Sequence, residues 1–105
     1  MGDQHGIRRG TTPLHVFRIN VPTDQLEQIE ITYAQHGAVK IIRTLDSCEL
    51  DADAIKVLLS QEDTFKLSCD SPVGIQLRIK KTDGCVPCSE VFEIPVLPCQ
   101  SKEVL

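Results

Sequence analysis

An all-β, antiparallel sandwich of about seven strands is the fold that this sequence predicts. Two segments carry the expectation. Ile29, Ile31 and Tyr33 alternate with Gln28, Glu30 and Thr32, and Val73, Ile75, Leu77 and Ile79 alternate with Gly74, Gln76, Arg78 and Lys80. A period of two places the apolar members on one face of a strand and the polar members on the other, as in a sheet with one buried and one wetted face. In addition, turn-forming residues recur between short apolar runs at sandwich-like spacing. Two sheets stacked face to face would bury both apolar faces.

The elements follow in chain order. Gly2 to Gly6 is polar, so residues 1–8 are expected to form a flexible arm, and His5 within it carries no functional weight. Leu14 to Val21 is β-rich, but its apolar parity changes between Val16 and Phe17, which a bulge or a strand changing sheets would produce. Ile29 to Gln35 and Val39 to Leu45 flank His36-Gly37, where the glycine can take the positive φ of a tight hairpin turn. Asp51 to Leu67 is ambiguous. Ile55, Val57 and Leu59 fit a strand, whereas Ile55, Leu58 and Leu59 fit a helix capped by Asp51 or Asp53; the strand is preferred because the run is short and lies between turn residues. Ser60 to Thr64 reads as one helical turn with Ser60 as its cap, after which Phe65 and Leu67 return to the core. Phe92, Ile94 and Val96 form a last strand, and Pro95 within it calls for an edge or a bulge. There is no repeat or linker, so residues 9–99 read as one domain followed by a tail, 100–105.

Composition narrows the function classes. A chain of 105 residues has room for one modest core and little for a deep cleft. Its net charge of -4 opposes nucleic-acid binding, which favours a basic face, and adjacent Lys80 and Lys81 fit an exposed strand end. No apolar run approaches the roughly 20 residues of a membrane helix, and Met1 to Gly10 lacks the apolar centre of a signal peptide. One Tyr and three Phe are too few for a base-stacking or carbohydrate-binding platform.

Five cysteines, Cys48, Cys69, Cys85, Cys88 and Cys99, leave at least one thiol unpaired in any intramolecular scheme. Without a secretion signal the expectation is reduced thiols in a cytoplasm, with Cys48 and Cys69 acting as small apolar residues. Cys85-Val86-Pro87-Cys88 is the sharpest local feature. A redox dithiol wants its first thiol at a helix N-terminus, whereas this pair follows the turn Thr82-Asp83-Gly84. Zinc would need a second close pair, which neither Cys69 nor Cys99 supplies. Thiols on a hairpin loop is the preferred reading, with a zinc- or redox-responsive protein as the alternative. The acids Asp46, Glu49, Asp51, Asp53, Glu62 and Asp63 lack the glycine and terminal glutamate of a calcium loop. His15 lies in a β-run and His36 in a turn, neither with a local catalytic partner. No catalytic, cofactor-binding or metal-binding residue is therefore assigned, no cofactor is expected, and the chain is expected not to be an enzyme.

Four stretches carry a resemblance: Arg9-Gly10-Thr11-Thr12-Pro13, Ile31-Thr32-Tyr33-Ala34-Gln35, Leu59-Ser60-Gln61-Glu62-Asp63-Thr64, and Val73 to Lys80. In this order they resemble a family of small proteins of prophages and mobile elements in Gram-positive bacteria, encoded near phage structural genes, over about Arg8 to Leu105. The chain is also similar to the immunoglobulin-like N-terminal module of phage baseplate proteins. The resemblance implies an immunoglobulin-like sandwich that works as a structural or protein-interaction part of a phage particle, such as a tail, baseplate or connector. Its implied partners are other phage structural proteins or further copies of itself, in the bacterial cytoplasm during assembly and then on the virion. It brings no catalytic residues, and Cys85 and Cys88 depart from the polar or small-residue hairpin of the family. The Pro95 strand and Cys99 to Leu105 are the expected contact regions.

Overall fold

The computed structural model describes residues 6–89 and 91–105. Residues 1–5, including His5, lie outside the described residues. The chain folds as an all-β sandwich with one short helix. Its strands are β1 (Ile7–Arg8), β2 (Leu14–Arg18), β3 (Leu26–Gln35), β4 (Ala38–Thr44), β5 (Glu49–Leu50), β6 (Ala54–Leu58), β7 (Val73–Lys81), β8 (Phe92–Ile94) and β9 (Val96–Leu97), with helix α1 (Gln61–Phe65) between β6 and β7.

The larger sheet has the order β4-β3-β7-β8, the smaller has β2-β6-β5, and every pairing within them is antiparallel. The chain crosses between the sheets after β2, after β4 and after β6. β3 is the hub, flanked by β4 and β7. Its odd residues Ile29, Ile31, Tyr33 and Gln35 point inward, opposite Ile75, Leu77 and Ile79 of β7. Leu26 is also buried although its parity is even, because the β3–β7 register shifts between Leu26 and Gln28. The β3–β4 hairpin turns at His36 and Gly37, with φ of 53° and 75°, the double positive φ that a two-residue hairpin turn requires. Ile55, Val57 and Leu59 bring the core side of the smaller sheet, all at 0% exposure. Each such side chain contributes about 1.5–3 kcal/mol by leaving water.

The ambiguous stretch thus forms a strand, β6 (Ala54–Leu58), with Lys56 and Leu58 facing outward. Ser60 caps α1 as the sequence predicts: its hydroxyl accepts from the Asp63 amide at 3.0 Å, and Asp63 accepts from the Ser60 amide at 3.0 Å.

Three expectations change. Among the described residues the count is nine strands rather than about seven, because β1 and β5 are two-residue strands and the last strand divides at Pro95. β8 stays in the larger sheet, and β9 turns to pair in parallel with β1. Residues 7 and 8 leave the expected arm for the same reason: Ile7 is fully buried and its amide donates to Pro95 O at 2.9 Å. The parity change in the second strand is not a bulge, since β2 pairs with β6 in unbroken register from Leu14↔Leu58 to Arg18↔Ala54. The strand is apolar on both faces: Phe17 packs against the core while Leu14 and Val16 face outward at 56% and 45% exposure.

Three of the four stretches that carry the resemblance meet around α1. The Gly10 amide donates to the Thr64 hydroxyl at 2.9 Å, and that hydroxyl donates to Thr11 O at 3.0 Å. Arg9 donates to Phe65 O at 3.2 Å and lies over the Phe65 ring at 5.5 Å. Gln35 donates to Ser68 O and Ser71 O and accepts from the Ser68 amide, which ties β3 to the α1–β7 connection. These motifs close one end of the sandwich, a structural task.

Candidate interaction surface

Cys85 and Cys88 lie on an extended return of the chain beside β7. Lys81 and Ile79 amides donate to Cys85 O and Pro87 O at 2.8 and 3.1 Å, and Arg78 bridges to Cys88. Residues three apart on an extended strand stand about 10 Å apart and point to opposite faces, beyond the ~7 Å limit for a disulfide. Both thiols are free and exposed, as are those of Cys69 and Cys99. Cys48 is half-buried; burial pushes its thiol up and it donates to Thr44 O at 3.1 Å. Among the described residues no three metal-ligating side chains converge.

The acidic turn between β5 and β6 is balanced by bases. Asp51 pairs with Lys56 at 2.8 Å, whose hydrogen bond holds the Asp51 carboxyl below its usual range, and Asp53 lies 3.4 Å from Arg18. Lys80 and Lys81 sit at the end of β7 beside Glu27 and Asp83.

The fold gives both described histidines partners that the sequence does not reveal. His36 Nε2 lies 3.1 Å from Asp70 Oδ1 and 3.4 Å from Ser71 Oγ. A catalytic triad needs the carboxylate on one ring nitrogen and the hydroxyl on the other; here both share one nitrogen on an exposed turn. His15 Nδ1 is 2.6 Å from the hydroxyl of fully buried Tyr33, with the rings stacked at 5.6 Å. Burial lowers the His15 pKa below 6.5 and raises that of Tyr33. As pH falls through 6.5 the unfolded chain therefore takes up the His15 proton first. The neutral imidazole's contribution to stability is present above that pH and is lost toward the lower folded-state value. The denaturation midpoint is expected to drop between pH 7 and pH 5, by less in His15→Gln, as chemical denaturation at each pH would measure.

The surface that stands out is the open side of the sandwich between the edges of β2 and β8. A cleft of about 780 Å3 runs there, walled by Phe17 from β2 and by Ile75, Leu77, Phe92 and Ile94 from the larger sheet, with His15 as a polar group. Leu14 and Val16 also line it; with Leu58, the cross-strand neighbour of Leu14, they form an apolar strip, and Phe92 is 53% exposed on the opposite lip.

Hydrogen-bond parity shows which backbone groups face this side. Leu59 donates to Pro13 O and Ile19 donates to Asp53 O, which extends the β2–β6 register at both ends. Odd residues of β2 therefore bond to β6, and the amides and carbonyls of Leu14, Val16 and Arg18 point to the free edge. Among the described residues none pairs with them. The parity change at Val16/Phe17 marks this edge in the sequence: Leu14 and Val16 face outward while Phe17 packs on the core.

The two regions expected to make contacts differ. Ile94, beside Pro95, lines the cleft, whereas the tail runs over α1, where the Gln61 side-chain amide accepts from Leu105 N at 2.8 Å and donates to Leu105 O at 3.1 Å.

No known protein family, no curated protein and no solved structure matches the chain. No helix among the described residues is long and apolar enough to cross a membrane.

Proposed function

We propose that the protein is a non-catalytic structural and protein-interaction module of a phage or prophage particle, with the open side between β2 and β8 as its working surface. The observation that carries this reading is the unpaired apolar edge of β2 beside an apolar cleft. A strand edge offers backbone donors and acceptors to an incoming chain, and the side-chain pockets beside it add selectivity. The placement in a phage particle rests on the motif resemblance.

Strand order supports an immunoglobulin-like assignment within the sandwich class. With β2 as B, β3 as C, β4 as C′, β5 as D, β6 as E, β7 as F and β8 as G, the sheets become B-E-D and C′-C-F-G, the partition of that fold. Such sandwiches host many functions, so the site rather than the fold bears the functional reading.

The test is to mix the purified chain with the structural proteins of the particle encoded beside it and to analyse purified particles by mass spectrometry. Co-sedimentation, lost on Phe92→Asp, is expected. A chain that binds none of these proteins and is absent from particles overturns the reading.

A further inference from the structure

We infer that the edge of β2 pairs antiparallel with β2 of a second copy, joining two three-stranded sheets into one of six strands across a two-fold axis at Val16. The inference deepens the interaction reading above and rests on it by naming the occupant of the edge.

The four edges of the two sheets are not equivalent. β5 has only two residues. β8 has three and stops at Pro95. β4 carries Lys40 and Arg43, and its register with β3 shifts between Tyr33↔Ile41 and Ala34↔Val39, leaving Lys40 bulged. Short length, proline, lysine and bulges are the devices that keep edges from pairing. β2 has no lysine, proline or bulge within it, and its single charge, Arg18, lies at its end beside Asp53. It is five residues of regular strand, Leu-His-Val-Phe-Arg, entered from Pro13, with apolar side chains on both faces.

The register and charges of β2 suit a copy of itself. The edge-facing residues are 14, 16 and 18, so a two-fold axis at Val16 sets Val16 against Val16 and Leu14 against Arg18 of the other copy, with every edge-facing group in a hydrogen-bonded position. The methylene stem of Arg18 then covers Leu14. The two Arg18 side chains stand four strand positions apart, about 14 Å, past a Debye length of about 8–10 Å, and each lies beside its own Asp53. Leu14, Val16 and Leu58 are 56%, 45% and 61% exposed on neighbouring strands. This strip is smaller than the ~800 Å2 per partner of a standard interface, and the strand backbone and cleft walls add to it. A concentration-dependent dimer follows.

The experiment is sedimentation velocity on the full chain across the micromolar to millimolar range, for wild type, Val16→Lys and Val16→Pro. Val16→Lys sets two ammonium groups against each other at the axis. Val16→Pro removes one edge amide and no ladder bond to β6, because that amide faces outward. Wild type is expected to reach twice the monomer mass, and each variant to weaken self-association at least tenfold with the circular dichroism of a folded sheet retained. Amide exchange at Leu14, Val16 and Arg18 should slow with wild-type concentration. A wild type that stays monomeric, or a dimer that survives both substitutions, overturns the inference. Binding of a monomeric wild type to particle proteins would leave the functional reading standing; absence of both kinds of binding would remove both.

Discussion

Gly10→Val is expected to destabilise the protein by about 3–5 kcal/mol, a large share of the 5–15 kcal/mol that holds a small domain folded. Two costs combine. Gly10 has φ of 81°, a conformation that β-branched residues resist at roughly 1–3 kcal/mol. Any Cβ would also stand 2.8 Å from Phe65 Cζ, with the flanking Cε1 and Cε2 at 3.3 and 3.4 Å, so the ring must move; overpacking of this kind costs about 1–3 kcal/mol. The moving ring is the one that Arg9 covers, so the closure of the sandwich end loosens with it. Gly37 is the internal control. Its φ is 75°, but nothing lies within 4 Å of the position a Cβ would take. Gly37→Ala should therefore lose only the conformational part, about 1 kcal/mol, and Gly10→Ala clearly more. Denaturant midpoints of the three variants measure the difference. Equal losses for the two alanine variants would mean that the Phe65 contact carries no weight.

Arg43→Ala is expected to cost about 3 kcal/mol. Asp63 is a buried acid whose side chain is 6% exposed, and its charge is balanced by the Arg43 guanidinium from β4. Burial pushes the Asp63 carboxyl up, but the Ser60 amide, the Arg43 guanidinium and the Ser60 hydroxyl together hold it below its usual range. Removing the arginine leaves a buried carboxylate with its helix-cap bonds and, among the described residues, Lys66 at 3.8 Å as its remaining ion-pair partner. Breaking one partner of a buried pair typically costs 3–5 kcal/mol, and the remaining bonds place this case at the lower end. Because the folded pKa of Asp63 is depressed, its contribution is present above the unfolded value near 3.8 and is lost as pH falls below it. Arg43→Met with Asp63→Asn should recover part of the loss. A thermal melt of the double variant no better than that of Arg43→Ala would assign the loss to Arg43 packing instead.

What could be read from the sequence divides along a physical line. β3 and β7 were legible because each has one wet and one dry face, so alternation survives in the residues themselves. The His36-Gly37 turn and the Ser60 cap were legible because both are local, needing only a glycine or a hydroxyl at one position. Elements fixed by distant partners were not. Ile7 becomes a strand residue only because β9 lies beside it, 89 positions on. Pro95 divides the last strand because β8 and β9 have different neighbours. His36 meets Asp70 and Ser71, and Arg43 meets Asp63, through contacts that no spacing encodes. The candidate surface lies between these cases: the apolar strip of Leu14 and Val16 was visible as a break in alternation, but whether it marked a bulge or a two-faced edge depended on the register with β6.

If the open side between β2 and β8 is the working surface, as proposed, amide hydrogen exchange there changes when the chain is mixed with its candidate partner proteins, compared with dilute free protein. Slowing concentrated at residues 14–18 and 92–94, with β4 unchanged, is the predicted result. Unchanged exchange at those residues together with slowing along β4 or the tail would contradict it.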